Sequence, residues 1–258
     1  MPLPNERARR NHDELFPRHT SRLAQTDPEL IEIFDNFAFA EVLRDSSLHV
    51  KTRLMVQLAA IIACQAEREY RVMVGAALTV GVTPVEIKEI VYQSVPYVGM
   101  AKVIDFIDAT NEVLIDRGVK LPLPGQSSTA PENCAEKGLE VQKQIIGSDA
   151  MEKLHASAAP DQQHIQRLLS ANCFGDYLTR KGVDVPTREL LTFSMLVAFG
   201  GCDPQVKAHV AANLHVGNDR ARLIDVVTQL LPYIGYPRAL NALRAVDEIT
   251  PPESGSKP

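Results

Sequence analysis

The stretch whose reading decides the fold is Gly75-Ala-Ala-Leu-Thr-Val-Gly81, because it returns 136 positions later as Ala211-Ala-Asn-Leu-His-Val-Gly217. At the same offset Val91-Tyr-Gln-Ser-Val-Pro-Tyr-Val-Gly99 returns as Val227-Thr-Gln-Leu-Leu-Pro-Tyr-Ile-Gly235, with Gln93/Gln229, Pro96/Pro232, Tyr97/Tyr233 and Gly99/Gly235 identical. Upstream, Thr52-Arg53 answers Thr187-Arg188 at an offset of 135, which predicts one inserted residue in the second copy near Gly200 to Asp203. A fixed internal offset marks a duplicated structural unit.

The unit reads as helical. From Leu54, apolar residues recur at Met55, Leu58, Ile61 and Ile62, the stripe of a helix buried on one face. A second helix is predicted over 67–80, closed by Gly81. Thr83-Pro84-Val85-Glu86 is a capping box with proline at the first helical position, and Pro96 is predicted to end the helix it opens. A fourth helix follows over 99–116, and Asp27-Pro28-Glu29-Leu30 predicts another start with Asp27 as its cap. No alternating β-branched run bounded by tight turns occurs, so the fold class is all-α. Leu121 to Pro131, rich in proline, serine and glycine, reads as an extended linker. The chain then divides into a first copy over 1–120, a linker over 121–136, a second copy over 137–250 and a flexible tail over 251–258.

Of the 258 residues 45% are apolar and 23% charged, enough to build a core and incompatible with disorder throughout. A net charge of −5 gives no global attraction to nucleic acid or an anionic membrane. No apolar run approaches the roughly 20 residues that span a bilayer, and no signal-peptide pattern opens the chain, so the expected compartment is the cytoplasm. Cys64, Cys134, Cys173 and Cys202 are widely spaced and form no zinc pattern; reduced thiols and no metal are expected.

Candidate chemistry emerges where the copies differ. Glu189, Cys202, His209 and His215 stand opposite Leu54, Ala66, Met73 and Thr79. Cys202-Asp203-Pro204 reads as a helix start capped by Asp203, which would place the thiol at a positive helix end and lower its pKa. His209 follows two turns later on the same face, and a helical hairpin can fold Glu189 back to orient the imidazole for proton transfer. Each also has a plain structural role open to it: a histidine bonded on a helix, a cysteine packing as a small hydrophobe, a carboxylate complementing a helix dipole. The Pro-Tyr-x-Gly segments fit a helix break with a packed tyrosine, or a hydroxyl lining the pocket, with Tyr233 the candidate. Arg188, Lys207 and Arg238 can supply an anion clamp or remain solvated.

Thr187-Arg-Glu-Leu-Leu191, His209 to Gly217 and Gln229-Leu-Leu-Pro-Tyr-Ile-Gly-Tyr-Pro-Arg-Ala-Leu-Asn-Ala-Leu243 together resemble the carboxymuconolactone decarboxylase family, which includes the alkylhydroperoxidase D-like proteins. The resemblance spans both copies and implies a two-repeat member with a degenerate first half. It also implies a helical unit assembled in rings, here a trimer of two-repeat chains forming a pseudo-hexamer, acting without a cofactor on a small-molecule substrate. The peroxidase branch needs a C-x-x-C pair, but Gln205 stands where the second cysteine would be, so a local redox disulfide cannot form. The decarboxylase branch needs no thiol. By that resemblance His209 would be the general acid, Glu189 its orienting group, and Arg188 or Arg238 the holder of a substrate carboxylate. A thiol-dependent peroxidase built on Cys202 and a non-catalytic binding ring are the alternatives.

Overall fold

The computed structural model describes residues 5–17 and 21–252, and every regular element among them is helical. The first copy opens with α1 (Glu6–Leu15), α2 (Leu23–Thr26), α3 (Pro28–Asn36) and α4 (Val42–Arg44), followed by four longer helices. These are α5 (Val50–Ala63), α6 (Glu67–Thr79), α7 (Pro84–Val98) and α8 (Met100–Asp116). The second copy opens with α9 (Cys134–Ile146), α10 (Ser148–Ser157) and α11 (Gln163–Leu168). Its longer set is α12 (Val185–Phe199), α13 (Asp203–His215), α14 (Arg220–Ile234) and α15 (Tyr236–Ile249). A π-helical stretch precedes each longer set, Phe37–Glu41 in the first copy and Leu169–Leu178 in the second.

The two copies share one core. Every residue from Leu54 to Ala63 on α5 and from Arg188 to Ala198 on α12 is buried. Helices apolar around most of their circumference can only be central elements. Leu54, Leu58, Ile61 and Ile62 pack in the same cluster as Leu190, Leu191 and Phe193. At about 1.5–3 kcal/mol for each large apolar side chain kept from water, neither copy would leave the other cheaply. A smaller cluster of Ile145, Cys173, Phe174, Leu178 and Ala212 lies beside it, with Tyr97 packed against it.

Local chemistry accounts for most boundaries. Thr83 and Glu86 form the predicted capping box, and Asp184 and Asp219 accept backbone N–H bonds at the starts of α12 and α14. Several expectations are corrected. Pro96 lies inside α7, as Pro232 does inside α14; the helices end instead at Gly99 (φ 92°) and Gly235 (φ 77°). A proline near a helix end only forgoes one intrahelical bond, whereas a left-handed glycine turns the chain. Asp27 makes no capping bond, and at α13 Cys202 occupies the cap position with Asp203 the first helical residue. The predicted insertion is not in the α12–α13 loop, which has three residues just as the α5–α6 loop does. It lies in the helix, 15 residues in α12 against 14 in α5.

α9 opens at Cys134, so the last residues assigned to the linker are helical. It packs hard on the π-helical stretch through two glycines: a Cβ on Gly138 would lie 1.9 Å from the Ser170 carbonyl oxygen, and one on Gly175 would lie 2.2 Å from that of Cys134. Among the described residues no helix is long and apolar enough to cross a membrane. The tail from residue 253 lies outside the described residues.

Candidate active site

Glu189 and His209 meet as the sequence predicts. His209 Nδ1 lies 2.8 Å from Glu189 Oε2, with the Glu189 side chain fully buried and His209 16% exposed. Because an ionised carboxylate only accepts, Nδ1–H donates to it and Nε2 is left to face other chemistry. Glu189 Oε1 is buried without a hydrogen-bond partner among the described residues, so the carboxylate's polar contact is concentrated on the imidazole.

Two asparagines hold the pair in place. Asn213, four residues after His209 and buried, donates to the main-chain oxygens of His209 (2.7 Å) and Glu189 (3.1 Å), tying α13 to α12. Asn218 donates to Asn213 Oδ1 and to the Pro186 oxygen, both at 2.9 Å. In the first copy these positions are Ala77 and Val82, so the comparison that singled out Glu189 and His209 carried this signal too.

The tyrosine at the site is Tyr97, from the first copy. Its ring stands edge-on to the His209 ring, with centroids 5.9 Å apart and planes at 79°. Burial pushes its hydroxyl well above the ordinary range, helped by the nearby Cys173 thiol and Glu189, while a bond with Thr192 pulls the other way. Tyr233 does not join this group. It occupies the mirror position in the first half, its hydroxyl 3.9 Å from Met73 Sδ and its ring 6.2 Å from Phe34. Each copy's third long helix thus lends its tyrosine to the other copy; where Glu189 and His209 stand at the Tyr97 site, the Tyr233 site has Leu54 and Met73, and Glu69, Arg53 and Asp35 are the charged groups that act on Tyr233.

The thiol beside this group is Cys173 rather than Cys202. Burial pushes Cys173 up to about 12, a bond with Tyr97 lowers it, and Glu189 adds to the rise. Its first-copy counterpart is Ala38, another contrast visible in the sequence. Cys202 packs against the main core with Sγ 3.3 Å from the Leu196 oxygen. Burial and then Asp203 push its thiol upward, the reverse of the expected activation. The Asp203 carboxylate beside it and partial burial outweigh the helix end. All four cysteines are free.

The expected anion clamp is dispersed. Arg188 is 1% exposed, with Nη2 2.9 Å from Glu89 Oε2 and Nη1 2.9 Å from Gln93 Oε1; it also donates to the Arg180 and Lys181 oxygens. That guanidinium joins the two copies. Lys207 pairs with Glu248, and Arg238 is exposed on α15 near Gly200 and Cys64. His215 is exposed near Gly147. Within the group of Tyr97, Cys173, Glu189, Thr192 and His209, the assembled chemistry is therefore an oriented imidazole under a buried carboxylate, with one phenol and one neutral thiol beside it.

Comparison with known proteins agrees with this architecture. The pattern of the "Carboxymuconolactone decarboxylase family" matches residues 28–112 and again 163–248. A 4-carboxymuconolactone decarboxylase from Acinetobacter baylyi is 25% identical over 114 residues, 44% of this chain and 84% of that protein. A crystal structure from Burkholderia xenovorans LB400, provisionally assigned as a gamma-carboxymuconolactone decarboxylase subunit, superposes with a TM-score of 0.52. That match has 22% identity and covers 96% of this chain and 99% of that one.

Proposed function

The chain belongs to the carboxymuconolactone decarboxylase family, and from that premise we propose that it is a cofactor-independent lyase acting on a small carboxylated lactone or related acid through its second-copy site. The observation that carries the reading is the buried Glu189 carboxylate 2.8 Å from His209 Nδ1. Such a pair fixes the imidazole's orientation and the nitrogen that donates to the carboxylate, which is what a general acid at Nε2 requires. In the reaction the bond to the carboxylate carbon breaks and carbon dioxide leaves. The electron pair passes through the adjacent double bond into the lactone carbonyl, and His209 returns a proton to the carbon next to that carbonyl, the γ position counted from the departing carboxylate. The Tyr97 hydroxyl, kept neutral, is the nearby donor suited to the carbonyl's developing charge.

Fold alone does not assign this chemistry. The similar protein from Acinetobacter baylyi carries the activity in its name, and several residues polar or thiol-bearing only in the second copy, Cys173, Glu189, Asn213 and Asn218, gather around His209. The thiol-peroxidase alternative loses its support with Cys202, whose thiol is raised and which lacks a second cysteine at position 205. The assembly we propose is a ring of three chains. It is supported by exposed apolar residues recurring at equivalent places in both copies: Leu30 and Ile165, Ile33 and Leu168, Met100 and Tyr236, Ile104 and Leu240.

The test is direct: purified protein incubated with 4-carboxymuconolactone should consume it with release of one carbon dioxide per molecule. Absence of turnover by folded wild-type protein, or turnover unaltered in His209→Ala, overturns the assignment.

A further inference from the structure

A cleft away from His209 is roofed by the proline-rich linker. It encloses about 480 Å³ between α7 and the segment from Leu121 to Gln126, a volume suited to a small organic molecule. Its walls are largely apolar, with Val85, Leu121 and Leu123 among them, and two cations enter it, Lys88 and Arg180. Both sit over the Tyr92 ring, Lys88 Nζ at 5.6 Å and the Arg180 guanidinium carbon at 5.2 Å from its centre.

The charge balance favours an anion. Lys88 is 8% exposed, and its bonded partner is the neutral Asn111 Oδ1 at 2.5 Å; a buried ammonium on a neutral partner is costly to keep. The carboxylate in the lining, Glu89, is shared between Arg180 and Arg188, and Asp108 lies close enough to act on Lys88, so three cations stand against two carboxylates and positive charge remains in excess. The fold does not need this set. At the equivalent places in the other half stand Ile224 for Lys88, Thr228 for Tyr92 and Asp45 for Arg180. The roof is anchored as well: the Lys181 N–H donates to the Gln126 oxygen at 2.9 Å, and Ser128 Oγ donates to the Thr179 oxygen at 2.7 Å.

We propose that this cleft is a second ligand site that binds a small carboxylic acid with an apolar body, its carboxylate between Lys88 and Arg180 and its body against the linker. The apolar walls favour an organic acid over inorganic phosphate, which would leave them unfilled.

Titration calorimetry of the full chain with sodium benzoate at constant ionic strength tests the proposal, with sodium phosphate and sodium chloride as the other arms. Wild type should give a saturable isotherm that chloride does not compete away. Lys88→Met should weaken it at least tenfold while circular dichroism and thermal melting show the fold retained; Arg180→Gln should do the same, and His209→Ala should leave it within twofold. Four results overturn the proposal: no saturable benzoate binding, phosphate binding tighter than benzoate, an isotherm unchanged in folded Lys88→Met, or loss of binding in His209→Ala. The last would assign the anion to the His209 site. None of these readouts depends on lactone turnover, so the proposal and the decarboxylase assignment can fail separately.

Discussion

Tyr97 and His209 belong to different copies of the duplicated unit, yet their rings stand edge to face with centroids 5.9 Å apart. The reciprocal partner, Tyr233, faces Met73 in the first half. Each half therefore borrows a tyrosine across the pseudo-symmetric interface, but only the Tyr97 side sets it against the Glu189–His209 pair; Tyr233 is set among Glu69, Arg53 and Asp35 instead. Tyr97→Phe should lower lactone turnover about tenfold, the scale of one hydrogen bond to developing charge, whereas Tyr233→Phe should leave it within twofold. Steady-state kinetics of the two variants checks this, and equal losses would refute the crossed arrangement.

The Glu189–His209 pair predicts a sharper loss. Glu189→Gln keeps the shape but removes the carboxylate that accepts Nδ1–H and holds the ring in place. Turnover should fall about 100-fold or more, within the range assigned to general acid–base groups, with substrate affinity nearly unchanged. His209→Ala should match it, and the double variant should be little worse than either single one, because the two side chains act as a unit.

The duplicated offset, the all-helical class and the meeting of Glu189 with His209 were all legible in the sequence, because each depends on spacing along one copy. What crosses between copies was not. Arg188 reads as a free cation in the second copy, but α7 of the first brings Glu89 and Gln93 onto it. Cys202 reads as an activated cap, yet whether a helix start is wet or packed depends on neighbours that periodicity does not name. Cys173, Asn213 and Asn218 were recoverable, since each is polar or thiol-bearing where the first copy has Ala38, Ala77 and Val82.

Arg188 should prove structural. In Arg188→Met, Glu89 keeps Arg180 but loses its fully buried partner, and Gln93 Oε1 loses its donor. Breaking a buried pair from one side costs about 3 kcal/mol, so the urea midpoint should drop markedly. The Michaelis constant of the folded fraction should stay within twofold; a large rise would restore Arg188 as a substrate clamp.

Cys173 gives the stability a slope at high pH. Its thiol is raised from the ordinary value near 9 to about 12, so the folded state holds a proton that the unfolded chain gives up. The stabilising contribution is complete below about pH 9 and is lost as pH rises towards 12, at up to roughly 1.4 kcal/mol per pH unit. Urea denaturation of wild type and Cys173→Ala between pH 8 and pH 11 should show a shallower decline in the variant. Tyr70 and Tyr233 feel nothing from Cys173 and cancel in the comparison, whereas Tyr97, whose hydroxyl the thiol helps to raise, loses part of its own rise in the variant and flattens the decline in the same direction. Parallel curves would mean that the thiol ionises freely in the folded state.

The repeated apolar faces make the assembly testable without reference to activity. Ile104 on α8 and Leu240 on α15 occupy equivalent positions and are 48% and 58% exposed in the single chain, a pattern that one copy's packing cannot explain because neither side chain serves the core. In a ring each such face would meet a face of the next chain, so a charge introduced at both would be buried against apolar surface and oppose association. Wild type should elute with the mass of three chains by light scattering. Ile104→Glu combined with Leu240→Glu should give the mass of one chain with helical content preserved. A monomeric wild type, or a double variant still trimeric, would assign these faces to something other than self-association.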